Sequence, residues 1–331
     1  MTCPNCQFPA AEGAANCARC GSILAEPVPD RSTAPCRCGA PADAADPIGF
    51  CSACGMQRSL WLGMLNVAAP TRSHVELEVD GRFGAVSDIG HRYATNQDAV
   101  AIWRTDGPKP ISIIAISDGV STATLSEDAS ELAANTVIES LRGLTTPARE
   151  SLGALGQAIR NAHKAVCDLM PETTPGVVPP GTTIAAAYIV DNWAVVGWVG
   201  DTRVYVVHNN EATLVTHDHS WMNAMVDSGQ MTLEEARAAR QSHVITSCLG
   251  PLNGENAPEP SVKMVSLTPG DLVIVCTDGL WNYTDSTGVL NRLTPPNAIG
   301  EETSLSLCQR LVEFALGCGG HDNISVAVLR V

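Results

Sequence analysis

Four apolar runs in this chain each carry an aspartate at one end. The stretch "DLVIVCTDGL" runs from Leu272 to Cys276 and then meets Thr277, Asp278 and Gly279. In "ISIIAISDGV", Ile111 to Ile116 lead into Ser117, Asp118 and Gly119; "WAVVGWVGDT" ends on Asp201; and in "HDNISVAVL" Asp322 stands just ahead of the apolar residues. One Asp-Gly pair after a strand is a turn signal. Four are different, because converging strands would aim several carboxylates at one place, each costing roughly a few kcal/mol if buried without a partner. Either Lys and Arg neutralise them or a hard cation such as Mg²⁺ or Mn²⁺ does, since these ions take oxygen ligands. A glycine after the aspartate lets the chain's own carbonyl approach such an ion.

A second constellation lies near the N-terminus, where eight of the 13 cysteines fall within the first 54 residues. "CPNC" (Cys3, Cys6) is followed by "CARCG" (Cys17, Cys20), and "CRCG" (Cys36, Cys38) by "CSACG" (Cys51, Cys54). Each pair presents two thiolates to one point, and two pairs close a tetrahedral zinc site. Two structural Zn²⁺ sites are therefore expected. Disulfides are the alternative, but cysteines two residues apart bridge poorly and nothing suggests an oxidising compartment. Met1 to Arg58 holds too few large apolar residues for a core, so metal binding must supply the ordering free energy. This part resembles the zinc ribbons found at the ends of many bacterial proteins. The expected boundaries are 1–24 and 35–58 for the ribbons, 25–34 for an extended linker and 59–74 for a connecting segment. The remaining cysteines, Cys167, Cys248, Cys276, Cys308 and Cys318, are expected to be reduced core or surface thiols.

Length and charge bound the rest. At 331 residues the chain suits one large domain with small additions. The formal charge of −15 opposes nucleic acid as a partner, and the first 60 residues, with four Arg and no Lys, do not form a basic patch. No apolar run reaches the roughly 20 residues of a membrane span, and the start lacks a basic and apolar leader. The expectation is a cytoplasmic protein with no membrane partner; the ribbons are expected to contact an unknown protein partner or act as a cap.

From residue 75 to 331 the pattern is that of an α+β domain. "HVELEVDGRFGAVSDIG" alternates around a turn at Asp80 and Gly81, and "DAVAIWR" and "ISIIAIS" read as strands. Helices are expected over 125–142 and in "ARESLGALGQAIRNAHKAVCDLM". Strands "TTIAAAYIV", "WAVVGWVG", "RVYVVHN" and "ATLVTH" follow, then an irregular polar and helical insertion over about 217–245, the strand "DLVIVCT", the helix "SLSLCQRLVEFALG" and the strand "NISVAVLRV". Trp193, Trp198 and Trp281 are expected in or beside strands, as core.

Six motifs in order, "NQDA" (96–99), "SDGV" (117–120), "GTT" (181–183), "VGDTRVY" (199–205), "TDGLWNY" (277–283) and "HDNISV" (321–326), resemble the metal-dependent protein phosphatases, the type 2C Ser/Thr phosphatases. The flap-like stretch "HDHSWMNAMVDSGQMTLEEA" with "VITSCLG" resembles that of bacterial members. The resemblance implies a four-layer α-β-β-α sandwich with a Mn²⁺ or Mg²⁺ site of two or three cations at one end. By the same resemblance Asp118 bridges two cations, with Gly119 offering its carbonyl to one, and Asp278 and Asp322 hold the other. Asp98 hydrogen bonds water, Asp201 joins Asp278 at a weaker third site, and Asn323 supports Asp322. Such a pair of cations acidifies a water for in-line attack on phosphoserine or phosphothreonine, so no protein nucleophile is needed. Phosphorylated proteins would be the substrates and Ser/Thr kinases the opposing activity.

Three positions depart from the family pattern. Gln97 stands where the family has Glu beside a cation. Tyr93 occupies the place of the phosphate-binding arginine, which leaves Arg92, one step earlier, as the candidate. Val120 replaces the proton-donating histidine of some relatives, so water would protonate the leaving group. The first two motivate an alternative, a catalytically weak phosphoprotein-binding or regulatory module; retention of Asp118, Asp278 and Asp322 opposes it. A zinc-ribbon nucleic-acid adaptor is opposed by the net charge. His217, His219 and His321 neighbour the expected site, with His219 expected to organise the flap and His321 to bond locally.

Overall fold

Alternation along each strand dictates a layered fold. In β4 (Ser112–Asp118), Ile113 and Ala115 face one side and Ile114 and Ile116 the other, and all are buried. The same holds in β5 (Ile184–Val190), where Ile184, Ala186 and Tyr188 oppose Ala185, Ala187 and Ile189. A strand buried on both faces needs a layer on each side. The computed structural model describes residues 73–107, 110–145, 147–170, 177–253, 257–284, 287–294 and 302–331. The eight N-terminal cysteines, with both expected zinc modules and the linker, lie outside the described residues.

Two antiparallel sheets stack face to face. One has five strands in the order β3-β4-β5-β6-β9, where β3 is Asp98–Arg104, β6 Trp193–Val199 and β9 Ser261–Ser266. The other has six in the order β1-β2-β11-β10-β7-β8, comprising β1 (His74–Asp80), β2 (Phe83–Asp88), β7 (Arg203–His208), β8 (Glu211–Leu214), β10 (Leu272–Cys276) and β11 (Ile324–Arg330). Phe83, Ile114, Val196, Val273 and Ala327 pack between them. Helices α1 (Ser126–Leu141) and α2 (Ala148–Asp168) cover the outer face of the five-stranded sheet, burying Ala133, Val137, Leu155 and Ile159 against it. Gly197 of β6 permits that approach, because a Cβ there would meet Ile159 Cδ1 at 2.8 Å.

The flap after β8 carries α3 (Trp221–Asp227) and α4 (Leu233–Ala238); Thr232 and Glu235 cap α4 reciprocally. Beyond β10 come α5 (Asp278–Thr284), α6 (Thr287–Leu293) and α7 (Ser304–Gly317). Leu307, Leu311 and Val312 of α7 bury against Val86, Ile274 and Val326 of the six-stranded sheet. Three cores thus separate four layers, as the resemblance implies.

Several sequence expectations need correction. β9 was not expected; "SVKMVS" is a half-buried edge strand whose mixed pattern carries a weak alternation signal. α5 and α6 were also missed, α5 because its first residues, Asp278 and Gly279, read as a turn. β8 stops at Leu214 rather than continuing to His217. Trp193 is 40% exposed at the outset of β6, so it is not core, and Trp281, core as expected, lies on a helix. Trp198 is buried as expected. Among the described residues the five cysteines are free thiols, with Cys248, Cys276 and Cys308 buried.

Candidate metal centre

Strand register assembles the site. In the β3/β4 ladder Asp98 stands directly opposite Asp118, so two carboxylates enter at one end of the five-stranded sheet. Asp201 follows β6 in the same sheet. The six-stranded sheet contributes Asp278, two residues after β10, and Asp322, two residues before β11. β10 and β11 pair antiparallel, which brings these two ends together. Asp278 opens α5, where the helix N-terminus favours negative charge. Gly279 is required there, since a Cβ would fall 1.9 Å from the Asn323 carbonyl oxygen.

Hydroxyls and amides hold several of these aspartates in place, by side chain or by backbone. Thr277 Oγ1 donates to Asp98 Oδ2 at 2.8 Å and itself accepts from Ser325 N at 3.0 Å. Asp118 N donates to Thr183 Oγ1 at 3.0 Å, Thr183 N donates to the Asp118 carbonyl at 2.8 Å, and Thr182 Oγ1 donates to the same carbonyl at 2.9 Å. Asn323 N donates to Asp322 Oδ1 at 2.8 Å. The Asn323 side chain does something else: its Oδ1 accepts from Gln97 N at 2.8 Å and its Nδ2 donates to the Ile89 carbonyl at 2.8 Å. Asn323 therefore supports Asp322 through its backbone and locks the loop before β3 through its side chain. Thr277, Ser325 and Thr183 carry no role in the sequence reading, although all three lie inside the quoted motifs.

Electrostatics set this group apart. Burial, followed by repulsion from Asp278, pushes Asp201 up to about 8, and the same two causes raise Asp322 to about 7. Burial raises Asp98 and Asp118 well above the usual carboxylate range, with repulsion from Asp322 and Asp278 adding to it at Asp98 and from Asp98 and Asp278 at Asp118. Burial also raises Asp278, against hydrogen bonds with Asn282 and Asp118. A hydrogen bond between two carboxyls needs a proton on one of them. All five acids, Asp98 buried and the other four half-buried, are raised because little positive charge stands beside them: Arg92, exposed at the rim, moderates Asp322, and Arg203, already paired with Asp218, moderates Asp201. Lysine and arginine do not neutralise the strand-end aspartates, so their donor set of hard carboxylate oxygens fits divalent cations such as Mn²⁺ or Mg²⁺. Among the described residues no three acidic, His or Cys side chains close on one point, so binding requires small side-chain turns and release of the shared proton.

The other expected residues sit around this centre. Tyr93 is half-buried at its mouth, hydrogen bonds Ser121 and is pushed up by burial and then by Asp322. Gly119 N donates to the Gln97 carbonyl at 3.1 Å, placing Gln97 beside the "SDGV" turn. His219 does organise the flap: Gly200 N donates to its Nδ1 at 3.2 Å, its Nε2 faces Ser261 Oγ at 3.0 Å, and burial lowers its pKa, leaving it neutral. His217 pairs with Asp227 at 2.7 Å, and His321 leans on Tyr283, whose hydroxyl oxygen accepts from His321 N at 3.1 Å. A further tie joins flap to centre. Arg203 pairs with Asp218 at 2.7 Å with both side chains buried, and its guanidinium stacks 3.7 Å from the Trp281 ring. Trp281 Nε1 in turn donates to the Asp201 carbonyl at 2.9 Å.

Comparison with known proteins agrees with this geometry. The family model described as "Protein phosphatase 2C" matches residues 90–314. The serine/threonine protein phosphatase PstP of Mycobacterium tuberculosis is 31% identical over 252 residues, 76% of this chain but 45% of that protein, so this chain spans less than half of that relative. The structure of the Streptococcus agalactiae serine/threonine phosphatase superposes with a TM-score of 0.64 at 26% identity, covering 78% of this chain and 99% of that one. The catalytic domain of a PstP in complex with two manganese ions superposes with a TM-score of 0.58 at 27% identity, covering 78% and 98%. With its fold, its ordered motifs and its strand-end carboxylates all in agreement, the chain belongs to the protein phosphatase 2C family.

Proposed function

We infer that this chain hydrolyses phosphoserine and phosphothreonine in proteins, with two divalent cations held by Asp118, Asp278 and Asp322. The activity is that of a serine/threonine protein phosphatase. The observation that carries the metal reading is the set of five carboxyls, one buried and four half-buried, all raised in pKa and drawn from both sheets. Bound there, Mn²⁺ or Mg²⁺ would acidify an attacking water and offset charge on the phosphoryl oxygens. Asp118 would lie between the cations, with the Gly119 carbonyl beside it, and Asp201 with Asp278 would form a weaker third position. Asp98, oriented by Thr277, would take the proton of the attacking water while the phosphorus–oxygen ester bond breaks. Arg92 at the rim would steer the phosphate dianion towards the centre. Val120 has no proton to give, so solvent would protonate the departing serine or threonine oxygen.

The test is hydrolysis of a phosphothreonine peptide by the full chain. Turnover is expected only with Mn²⁺ or Mg²⁺ added; turnover without either cation overturns the metal reading, and none in either case favours the weak binding module.

We also propose that Cys3, Cys6, Cys17 and Cys20 hold one structural Zn²⁺ and Cys36, Cys38, Cys51 and Cys54 a second, on the basis of their spacing alone. These ribbons would dock a protein partner, and opposing Ser/Thr kinases would supply the phosphorylated substrates. Metal analysis of the purified chain should find two zinc equivalents; none would refute the ribbons without touching the phosphatase reading. Among the described residues no helix is long and apolar enough to cross a membrane.

A further inference from the structure

The strands that deliver aspartates to one end of the sandwich deliver arginines to the other. β3 runs from Asp98 to Arg104, and β11, which follows Asp322, runs on to Arg330. Seven strand residues span about 20 Å, so the two ends are well separated. Arg82, just ahead of β2, joins the same end, its carbonyl accepting from Arg330 N at 2.8 Å. Together with Ser112, Asp191 and Asn192 these arginines line a cavity of 360 Å³ between the sheets.

The charges there are partly spoken for. Arg104 pairs with Asp80 at 3.0 Å, and Arg330 Nη2 donates to the Glu302 carbonyl at 3.2 Å. Among the described residues no carboxylate pairs with Arg82, and Asp191 is the one acid in the lining. Burial and the Arg82 charge both loosen the Arg330 proton, against Glu302. In a chain with 20 Lys and Arg against 35 Asp and Glu, three arginines around one cavity are a local reversal of sign.

We propose that this arginine-lined cavity is a second binding site, for a small phosphate-bearing anion, separate from the metal centre. Guanidinium forks match phosphate oxygens in pairs, and the Ser112 hydroxyl and Asn192 amide add neutral donors. At about 20 Å from the carboxylates a bound anion takes no part in hydrolysis. The site senses phosphate, whether free or carried on a phosphorylated ligand.

The two ends can be told apart because Arg82 and Arg104 belong to this cavity alone, while the carboxylate end, with no divalent cation added, has only Arg92 to draw phosphate. The full chain is titrated calorimetrically with inorganic phosphate, pyrophosphate and phosphoserine without added Mn²⁺ or Mg²⁺, at ionic strength held constant with chloride. Saturable binding is expected, weakened at least about tenfold in Arg82→Ala and in Arg104→Gln, as loss of a charged hydrogen-bond donor implies. Mn²⁺-dependent hydrolysis should be unchanged in Arg82→Ala, which also shows that this variant is folded. Binding of inorganic phosphate identifies free phosphate as the ligand, and binding of phosphoserine alone identifies a phosphorylated chain. No saturable binding, or binding that both variants leave intact, overturns the site whether or not the metal centre hydrolyses peptides.

Discussion

Asp278→Asn should lower Mn²⁺-dependent turnover of a phosphothreonine peptide by about 1,000-fold or more while leaving the protein as stable as before in the absence of added cations. The two halves have different causes. Asp278 hydrogen bonds Asp118 and Asn282 and stands at the meeting point of both sheets, so its charge matters to any cation held between them. An amide keeps the shape, the contact to Asn282 and the favourable place at the start of α5. It removes a desolvated acid whose charge repels Asp201 and Asp322, so folding without metal loses nothing. Steady-state kinetics and calorimetric Mn²⁺ titration on the same preparation test both halves. Unchanged kcat would remove Asp278 from the chemistry, and collapse of the metal-free fold would make it a structural residue instead.

The second large effect is on stability against pH. Asp201 holds its proton up to about 8 and Asp322 up to about 7, whereas an unfolded aspartate releases it near 3.9. Between those limits the native state binds more protons than the unfolded state, so stability falls as pH rises. Below about pH 4 both states are protonated and the difference vanishes; above about pH 8 both are ionised and the penalty is complete. Without added cations the unfolding temperature should therefore drop between pH 5 and pH 8. Saturating Mn²⁺ should reverse the drop, with its stabilising shift larger at pH 8 than at pH 5, because cations and protons compete for the same oxygens. A flat unfolding temperature over that range, or a Mn²⁺ shift larger at pH 5, would mean that these carboxyls are not held protonated in the native protein.

Much of this was legible in the sequence because strands write their ends plainly. β3, β4, β10 and α7 follow directly from apolar runs bounded by Asp, Gly or Pro, and Asp118, Asp201, Asp278 and Asp322 are visible as acids at the ends of those runs. The pairing of Asp98 with Asp118 is not visible, since register between strands depends on contacts across the sheet. Thr277 and Thr183 were hidden for a similar reason: a threonine beside a strand end is ordinary until the partner across the sandwich is known. β9 was lost because an edge strand with Lys263 and Met264 among its residues lacks clean alternation. α5 was lost because Asp-Gly marks a turn more often than a helix start, and here only the Asn323 backbone explains the glycine.

The division of the carboxylates between the sheets has a mechanical consequence. Asp98, Asp118 and Asp201 belong to one sheet, Asp278 and Asp322 to the other, and no strand passes between the two. Cations lodged among them would act as rivets across the seam, while their loss would leave like charges prying it open. The hinge of that opening would be the apolar interior around Ile114 and Val273, buried midway along the strands. Amides at the aspartate ends of β3, β4, β10 and β11 should then exchange faster than those at mid-strand when metal is withdrawn, and the far ends should scarcely notice.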